Sequence, residues 1–224
     1  LPSEVERFRI SSIEPNLLSD EIIRFCATSD RFVPHFHIPL QSGSDEMLQK
    51  MRRRYDSALY RNRVETIKEV MPHACIGVDV IVGHPGETEE EFLKTYEFLN
   101  ELPISYLHVF TYSERPNTTA VRVKDQVVPV SERRKRNKML SILSEKKKRA
   151  FYEQFAGTKR PVLLEHENKD GFMFGYTDNY LRVTIPFDAS LSGTIQDIEL
   201  QELQDNTIFT GQLVASSKYE RAVS

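Results

Sequence analysis

Apolar and polar residues alternate along the first half of the chain in a pattern that predicts strands followed by helices. Apolar runs predict strands at Arg7–Ile13, Phe36–Leu40, Cys75–Val82 and Ser105–Tyr112. Apolar residues at helical spacing predict helices that begin near Ser19, Ser44 or Asp45, Ser57 and Thr88. Repeated strand–helix units imply parallel pairing, so we expect an α/β fold, either a barrel or a doubly wound sheet.

The pattern changes in the second half of the chain. Residues 113–130 contain two prolines and predict a loop, and residues 131–155 predict a strongly basic helix. Five short strands are then predicted at Pro161–Glu165, Gly171–Tyr176, Leu181–Ile185, Ser192–Leu203 and Gly211–Ala215. Closely spaced short strands are typical of a small OB-like β-barrel. We therefore expect two domains, residues 1–156 and 157–219.

Composition is ordinary for a soluble globular protein, with 39% hydrophobic and 28% charged residues among 224. The formal net charge of −3 neither favours nor excludes a nucleic-acid partner. Two cysteines, with no signal peptide and no long apolar run, predict a cytoplasmic protein without a membrane span. Because the chain begins with Leu1 and almost at once enters a predicted strand, we expect it to be part of a longer protein.

Two glycine-containing turns at predicted strand ends are candidate ligand sites. Gln41-Ser42-Gly43-Ser44 and Gly83-His84-Pro85-Gly86-Glu87-Thr88 each follow an apolar strand, and βα folds place their active sites at such ends. A glycine there allows the backbone to approach a ligand closely. Each turn is equally consistent with a plain strand-to-helix connection whose serine or threonine caps the next helix.

Histidines at alternate positions of one strand raise a metal-binding alternative. His35 and His37 point to one face of a strand, and further ligands would come from Asp79, His84 or His108. This set would suit a metal-dependent hydrolase of the TIM-barrel kind. Cys26 and Cys75 have no C-x-x-C spacing, so the chain offers no iron–sulfur or structural zinc motif.

The predicted basic helix is a candidate RNA-binding surface. It carries nine basic residues: Arg133, Arg134, Lys135, Arg136, Lys138, Lys146, Lys147, Lys148 and Arg149. An exposed stripe of this charge attracts polyanions, although a solvated helix face would explain it as well. Residues 158–217 hold only four basic against nine acidic side chains, which is unfavourable for gripping phosphate.

Five segments taken together resemble the radical-SAM tRNA methylthiotransferases: Arg9–Pro15, His37–Asp45, Met51–Tyr55, Asp79–Thr88 and His108–Pro116. The residues from Gly157 onward resemble the TRAM domain that ends these enzymes. Met51–Tyr55 and His108–Ser113 are most similar to the members that act on threonylcarbamoyladenosine beside the tRNA anticodon. The resemblance implies a partial radical-SAM (βα) barrel of about four parallel strands, followed by the small antiparallel β-barrel.

The resemblance also implies a cofactor, S-adenosylmethionine (SAM), and a tRNA partner. The residues implied to bind SAM are Ser12, Glu14, Gln41, Ser42, Arg53, Gly83, Pro85, Phe110 and Tyr112. The residues implied to contact RNA are Arg133, Arg134, Arg136, Lys146, Lys147, Lys148, Lys159 and Arg160. In this family a C-x-x-x-C-x-x-C loop holds a [4Fe–4S] cluster that reductively cleaves SAM, and a separate domain holds a second cluster.

The chain departs from the family pattern because neither set of cluster cysteines is present in it. We therefore expect the parent protein to be a methylthiotransferase, and this chain alone to be inactive and without metal ligands. Pro116-Asn117-Thr118 replaces the family's usual Pro-Gly-Thr. An incomplete barrel has an open parallel edge, so we expect dimerisation through that edge. An RNA-binding module and a metal-dependent hydrolase that uses His35 and His37 remain the alternatives.

Overall fold

The computed structural model describes residues 5–114, 127–205 and 207–214. The chain divides into two compact units, residues 1–147 and 148–224. In the described residues of the first unit, strands and helices alternate in the order β1 (Phe8–Ile10), α1 (Asp20–Thr28), β2 (Phe32–His37), α2 (Asp45–Lys50), α3 (Ser57–Val70), β3 (Cys75–Val82), α4 (Glu89–Glu101) and β4 (Tyr106–Thr111). Helix α5 (Val130–Glu153) follows and contributes residues to both units.

Strands β1 to β4 form one parallel sheet in sequence order. Along β3, Ile76, Val78, Val80 and Val82 are fully buried and belong to the hydrophobic core, which also includes residues of α1, α3, α4 and α5. The alternate residues Gly77, Asp79 and Ile81 point to the other face, because side chains of a strand alternate in direction. The first face holds the sheet to its helices, and the second face carries the polar residues.

The predicted helix starts are confirmed by the caps. Ser19, Ser44 and Thr88 are N-caps whose side-chain oxygens accept backbone N–H bonds from Ile22, Met47 and Glu91. Helix α3 begins at Ser57 as predicted, with Asp56 as its cap.

Strand β2 begins four residues earlier than predicted, at Phe32, and ends at His37. The registers Phe8↔Phe32 and Ile10↔Phe36 leave an irregularity between β1 and β2. Pro34 lies inside this irregular stretch and has no N–H to donate to a neighbouring strand. The proline therefore interrupts the ladder without ending the strand, which the apolar pattern alone does not reveal.

The second unit contains the five predicted short strands. They are β5 (Lys159–Leu164), β6 (Phe172–Thr177), β7 (Arg182–Pro186), β8 (Ile195–Gln204) and β9 (Ile208–Leu213). They close into a barrel in the order β5-β6-β7-β9-β8, with Met173, Val183 and Phe209 fully buried. A short 3₁₀ helix, Ala189–Leu191, connects β7 to β8. The four-stranded parallel sheet and this closed barrel confirm the predicted fold class, although β7 and β9 of the barrel pair in parallel rather than antiparallel.

Some predictions fall on residues outside the described ranges. The Pro116-Asn117-Thr118 motif lies there, as do most of the predicted loop at 113–130 and the end of the predicted second domain. Within the described residues, no helix combines the length and the apolar character that crossing a membrane requires.

Candidate functional site

The carboxyl ends of the four parallel strands form one continuous edge, which we call the strand-end edge (residues 12–14, 41–44, 83–87 and 110–114). Backbone hydrogen bonds join neighbouring ends across the sheet. The N–H of Ile13 donates to His37 O at 3.1 Å, that of Gln41 to Asp79 O at 2.8 Å, and that of Tyr112 to Val82 O at 2.9 Å. The sheet therefore brings together eight of the nine residues implied to bind SAM, and only Arg53 comes from a helix connection.

Arg53 reaches the strand-end edge from the segment between α2 and α3. Its Nη1 lies 3.6 Å from Glu14 Oε1, and both side chains are partly exposed. Its Nε is buried and, among the described residues, has no hydrogen-bond partner. The neighbouring Tyr55 donates its hydroxyl to the carbonyls of Pro39 and Leu40, each at 3.1 Å, and so ties this segment to the end of β2.

Gln41 occupies a backbone conformation that non-glycine residues rarely adopt. Its φ is +72°, in the left-handed region, four residues after β2 ends at His37. Its carbonyl accepts the N–H of Ile81 at 2.9 Å, which forms an isolated parallel bridge to β3. Strained residues that the surrounding structure holds in place are concentrated at binding and active sites.

Ser42 is fully buried, and its hydroxyl holds the turn rather than facing an open site. It lies 3.0 Å from the Thr95 hydroxyl and accepts the N–H of Ser44 at 3.2 Å. The Ser44 hydroxyl donates to Glu91 Oε2. Hydrogen bonds from Lys94 and then Ser44 lower the pKa of Glu91.

The sequence analysis identified neither Thr95 nor Glu91 as part of the site. Thr95 also accepts the N–H of Gly43 at 3.1 Å, so α4 fixes the whole turn from beneath. Thr95 follows Glu91 by four positions, which places both on one face of α4. The sequence signal for this role was the presence of two polar residues on the buried face of a helix.

The turn after β3 is held by a buried ion pair. Glu87 Oε2 accepts the N–H of Gly83 at 2.7 Å and the Nη1 of Arg136 at 2.6 Å. Burial raises the pKa of Glu87, and the bonds from Gly83 and Arg136 oppose that shift. Gly83 has a φ of +77°, and a Cβ there would lie 2.3 Å from the Arg133 side chain. The glycine therefore allows an arginine to pack against the turn, while Pro85 is itself buried.

The end of β4 supplies the aromatic residues. Phe110 is 53% exposed. The Tyr112 ring packs against the His84 ring, with 5.3 Å between the two ring centroids. The Arg133 guanidinium lies 5.5 Å from the centroid of the Tyr112 ring. The Tyr112 hydroxyl is buried and has no hydrogen-bond partner among the described residues. A buried donor without a partner is costly, and a bound ligand would satisfy it.

The eight residues implied to contact RNA are not equivalent. Arg133 and Arg136 are buried, Lys147 donates to the carbonyls of Asn100 and Leu102, and Arg160 forms two bonds to Asp178 at 2.8 and 2.7 Å. Lys148 lies 5.6 Å from the centre of the Tyr152 ring. The exposed members of the set are Arg134, Lys146 and Lys159. Of the eight, these exposed cations are the ones open to a phosphate.

The histidines proposed as metal ligands separate into different environments. His35 Nε2 lies 3.1 Å from the Tyr106 hydroxyl, and His84 Nδ1 lies 3.0 Å from its neighbour's carbonyl at Pro85. His37 Nε2 lies 2.8 Å from Asp79 Oδ1, and its ring stacks on His108 at 5.4 Å. The structure therefore brings three of the five candidates together, on the open face of the sheet.

The cysteines of this chain do not fit a [4Fe–4S] cluster. Cys26 lies in α1 and Cys75 is the first residue of β3, at the opposite end of that strand from the strand-end edge. Both are buried, and two thiols do not make the three-cysteine set that such a cluster needs. SAM could instead satisfy Arg53 Nε and Tyr112 Oη, which are buried donors without a partner in the part of the chain that the structure describes.

Comparisons with known proteins connect the chain to radical SAM proteins. Residues 3–99 match the model of the radical SAM superfamily. The chain is 40% identical over 200 residues to the threonylcarbamoyladenosine tRNA methylthiotransferase MtaB of Bacillus subtilis, a match that covers 88% of this chain and 44% of that protein. It is 33% identical over 205 residues to the tRNA-2-methylthio-N(6)-dimethylallyladenosine synthase of Desulfitobacterium hafniense, covering 91% of this chain and 46% of that protein.

A third relative is named for a protein substrate rather than a tRNA. The ribosomal protein uS12 methylthiotransferase RimO of Alkaliphilus oremlandii is 33% identical over 223 residues, covering 96% of this chain and 50% of that protein. The chain thus spans about half the length of the curated relatives it matches. The chain therefore carries a radical SAM domain at residues 3–99 and is similar over most of its length to the radical SAM methylthiotransferases.

Proposed function

We propose that this chain supplies part of the SAM site of a tRNA methylthiotransferase that modifies C2 of threonylcarbamoyladenosine. The observation that carries the proposal is that two buried donors among the residues implied to bind SAM, Arg53 Nε and Tyr112 Oη, have no hydrogen-bond partner within residues 5–114, 127–205 and 207–214. The named substrate rests on the relative from Bacillus subtilis, whose identity is higher than those of the other two relatives. A tRNA substrate would place the parent enzyme in the cytoplasm.

The Glu14–Arg53 pair suits the amino-acid end of SAM. An α-amino acid carries an ammonium and a carboxylate, and a carboxylate beside a guanidinium offers the opposite charge to each. The 3.6 Å separation is longer than a charge-assisted hydrogen bond, so the pair can open to bind both groups without losing a tight contact. Arg53 would then orient the methionine carboxylate.

The ring systems at the other end of the edge suit the nucleoside. Phe110 offers an exposed ring, and Tyr112 offers a hydroxyl without a partner among the described residues. The strained backbone of Gln41, which forms a bridge to Val80 of β3, would hold its side chain beside the ribose position that the resemblance implies. Ser42 would act on the ligand indirectly, because its hydroxyl fixes the turn that precedes α2.

SAM, when bound beside a reduced cluster elsewhere in the parent protein, supplies radical chemistry that protein side chains cannot provide. The residues of this chain bind and orient the cofactor and limit the access of water to it. Because Cys26 and Cys75 are the only cysteines of the chain and do not fit a cluster, we expect it alone to catalyse no turnover.

Calorimetric titration of the chain with SAM tests the proposal. Arg53→Gln should weaken binding about 10- to 100-fold, since hydrogen bonds to charged groups contribute about 1.5–3 kcal/mol. Tyr112→Phe, which removes one hydroxyl, should weaken it about 5-fold. Arg54→Gln is the matched control, because Arg54 is exposed and adjacent in sequence. No SAM binding by the wild-type chain, or equal binding by Arg53→Gln and wild type, would contradict the proposal.

An RNA-binding module is the second candidate function, and the exposed Arg134, Lys146 and Lys159 favour it. It is compatible with the first, because a tRNA-modifying enzyme also needs an RNA surface.

We also propose that copies of the chain pair through the edges of the parallel sheet, which β1 and β4 form. Light scattering that shows only monomer at high concentration would exclude this pairing.

A further inference from the structure

Three residues on the open face of the sheet form a group that the proposed function does not use. We call His37, Asp79 and His108 the interior cluster. They come from β2, β3 and β4, and Asp79 and His108 are direct register partners. His37 Nε2 lies 2.8 Å from Asp79 Oδ1, and one ligand atom from each of the three residues lies within 4.8 Å of the other two.

These distances are close to those of a mononuclear metal site. Zinc bound by nitrogen and oxygen at about 2.0–2.1 Å in a tetrahedral site holds its ligand atoms roughly 3.3 Å apart. The His37–Asp79 pair is slightly closer than this, and the His108 atom needs a shift of about 1.5 Å at most. A small side-chain rotation of His108, which is exposed, provides that shift.

Neighbouring residues pack against the interior cluster and leave its side chains partly accessible to solvent. Tyr106 packs edge-on against His108 at 5.1 Å, and its hydroxyl lies 3.1 Å from His35 Nε2. Gly77 leaves room for that tyrosine, because a Cβ there would lie 2.3 Å from the Tyr106 ring. The His37 and Asp79 side chains are 15% and 22% exposed, so an ion and its water ligands can reach them.

We propose that the interior cluster binds one divalent transition-metal ion through His37, Asp79 and His108, with the remaining coordination positions open to water or substrate. Two imidazoles and one carboxylate suit zinc, and the same donor set with open positions suits ferrous iron. The site uses neither Cys26 nor Cys75. It does not depend on the proposed SAM site, and it departs from the sequence-based expectation that this chain holds no metal ligands.

Titration of the metal-free chain with Co²⁺ and with Zn²⁺ tests the proposal. Co²⁺ should bind one equivalent and give the visible absorption of a four- or five-coordinate ion, and Zn²⁺ should displace it. Zn²⁺ should also raise the unfolding temperature, since a ligand that binds the native state stabilises it. His108→Ala and His37→Ala should each weaken binding by about 100-fold or more, because even changes outside the ligand set cost 10- to 100-fold.

Matched variants separate the interior cluster from other binding. Asp79→Asn keeps the shape of the side chain and should lose affinity without unfolding the sheet, which circular dichroism checks. His166→Ala and Asp197→Asn change exposed residues of the second unit and should bind as the wild type does. No stoichiometric binding by the wild-type chain would overturn the proposal. Equal metal binding by His108→Ala and wild type would also overturn it. So would a loss of metal binding in Cys75→Ser while His108→Ala still binds the metal as the wild type does.

Discussion

The two sides of helix α5 carry the same kinds of basic residue in opposite roles. On the inner side, Arg133 donates to the carbonyls of Val128 and Tyr112 at 2.8 and 3.0 Å, and Arg136 pairs with the buried Glu87. On the outer side, Arg134 is exposed. A run of basic residues along a helix therefore does not form a single binding surface, because the role of each cation depends on the atoms that it faces.

The inner side is a regular stripe. Arg133, Arg136, Leu140, Leu143 and Lys147 follow one another at intervals of three or four residues, and the two leucines are buried in the core. The arginine stems continue the stripe of the leucines while their charged heads reach acceptors at the strand ends. We infer that the inner cations stabilise the fold and the turns of the site, while the outer cations are available to bind a polyanion.

The largest effect that the comparison predicts is on stability. Arg136→Met should lower the free energy of unfolding by about 3–5 kcal/mol, because it leaves the buried Glu87 carboxylate without its cation. Arg134→Met, on the outer side two residues away, should change it by no more than about 0.5 kcal/mol. Urea unfolding measures both. Similar losses in the two variants would remove the distinction between the sides.

The loss in Arg136→Met should depend on pH. Burial already raises the pKa of Glu87, and removal of Arg136 raises it further. The native state then keeps a proton that the unfolded chain releases above about pH 4.5, so stability falls as the pH rises through the interval between the two pKa values. The deficit relative to wild type should be smaller at about pH 5 than at about pH 7. A constant deficit across that range would show that Glu87 stays ionised in the variant.

A smaller effect is expected at the end of the helix stripe. Lys147 donates to the carbonyls of Asn100 and Leu102 at 3.0 and 2.8 Å, at the carboxyl end of α4. Burial lowers its pKa. Lys147→Met should cost about 1–2 kcal/mol in unfolding experiments. Lys146→Met is the matched control on the outer side and should leave stability unchanged.

The smallest predicted change is in the free energy of tRNA binding. The double variant Arg134→Gln/Lys146→Gln should weaken tRNA binding and reduce the slope of log affinity against log salt by about 1.4–1.8, since each phosphate contact contributes about 0.7–0.9. Its stability should match that of wild type. Filter binding at several salt concentrations gives the slope. An unchanged slope would show that the outer side of α5 does not contact tRNA.

Much of the fold follows from local patterns. Strand β3 has the predicted bounds, Cys75–Val82, because a continuous apolar run of this length and composition is typical of a strand covered by helices. The five strands of the second unit also lie where turn residues predict them. Strand β2 differs because Pro34, usually a strand breaker, lies where β1 and β2 lose register.

For the candidate site, the sequence predicted only where its residues would lie. Parallel strands put their carboxyl ends at one edge, so Glu14, Gln41 and Tyr112 had to meet there once the strands were recognised. The spacing of residues gave no sign that the Ser42 hydroxyl is engaged by Thr95, or that Tyr112 keeps a buried hydroxyl without a partner among the described residues. Those facts depend on α4 and α5, which approach the edge from distant parts of the chain.

The sequence by itself determined the elements, the resemblance to radical SAM proteins and the end of the sheet at which a site is predicted, because these depend on periodicity and on motifs a few residues long. Only the tertiary structure decided which cations of α5 are buried, and that His37, Asp79 and His108 meet. The reason is physical: the cost of burying a charge is set by its partner atoms. For Arg136 that partner, Glu87, is 49 residues away in sequence, and the interior cluster draws on three separate strands.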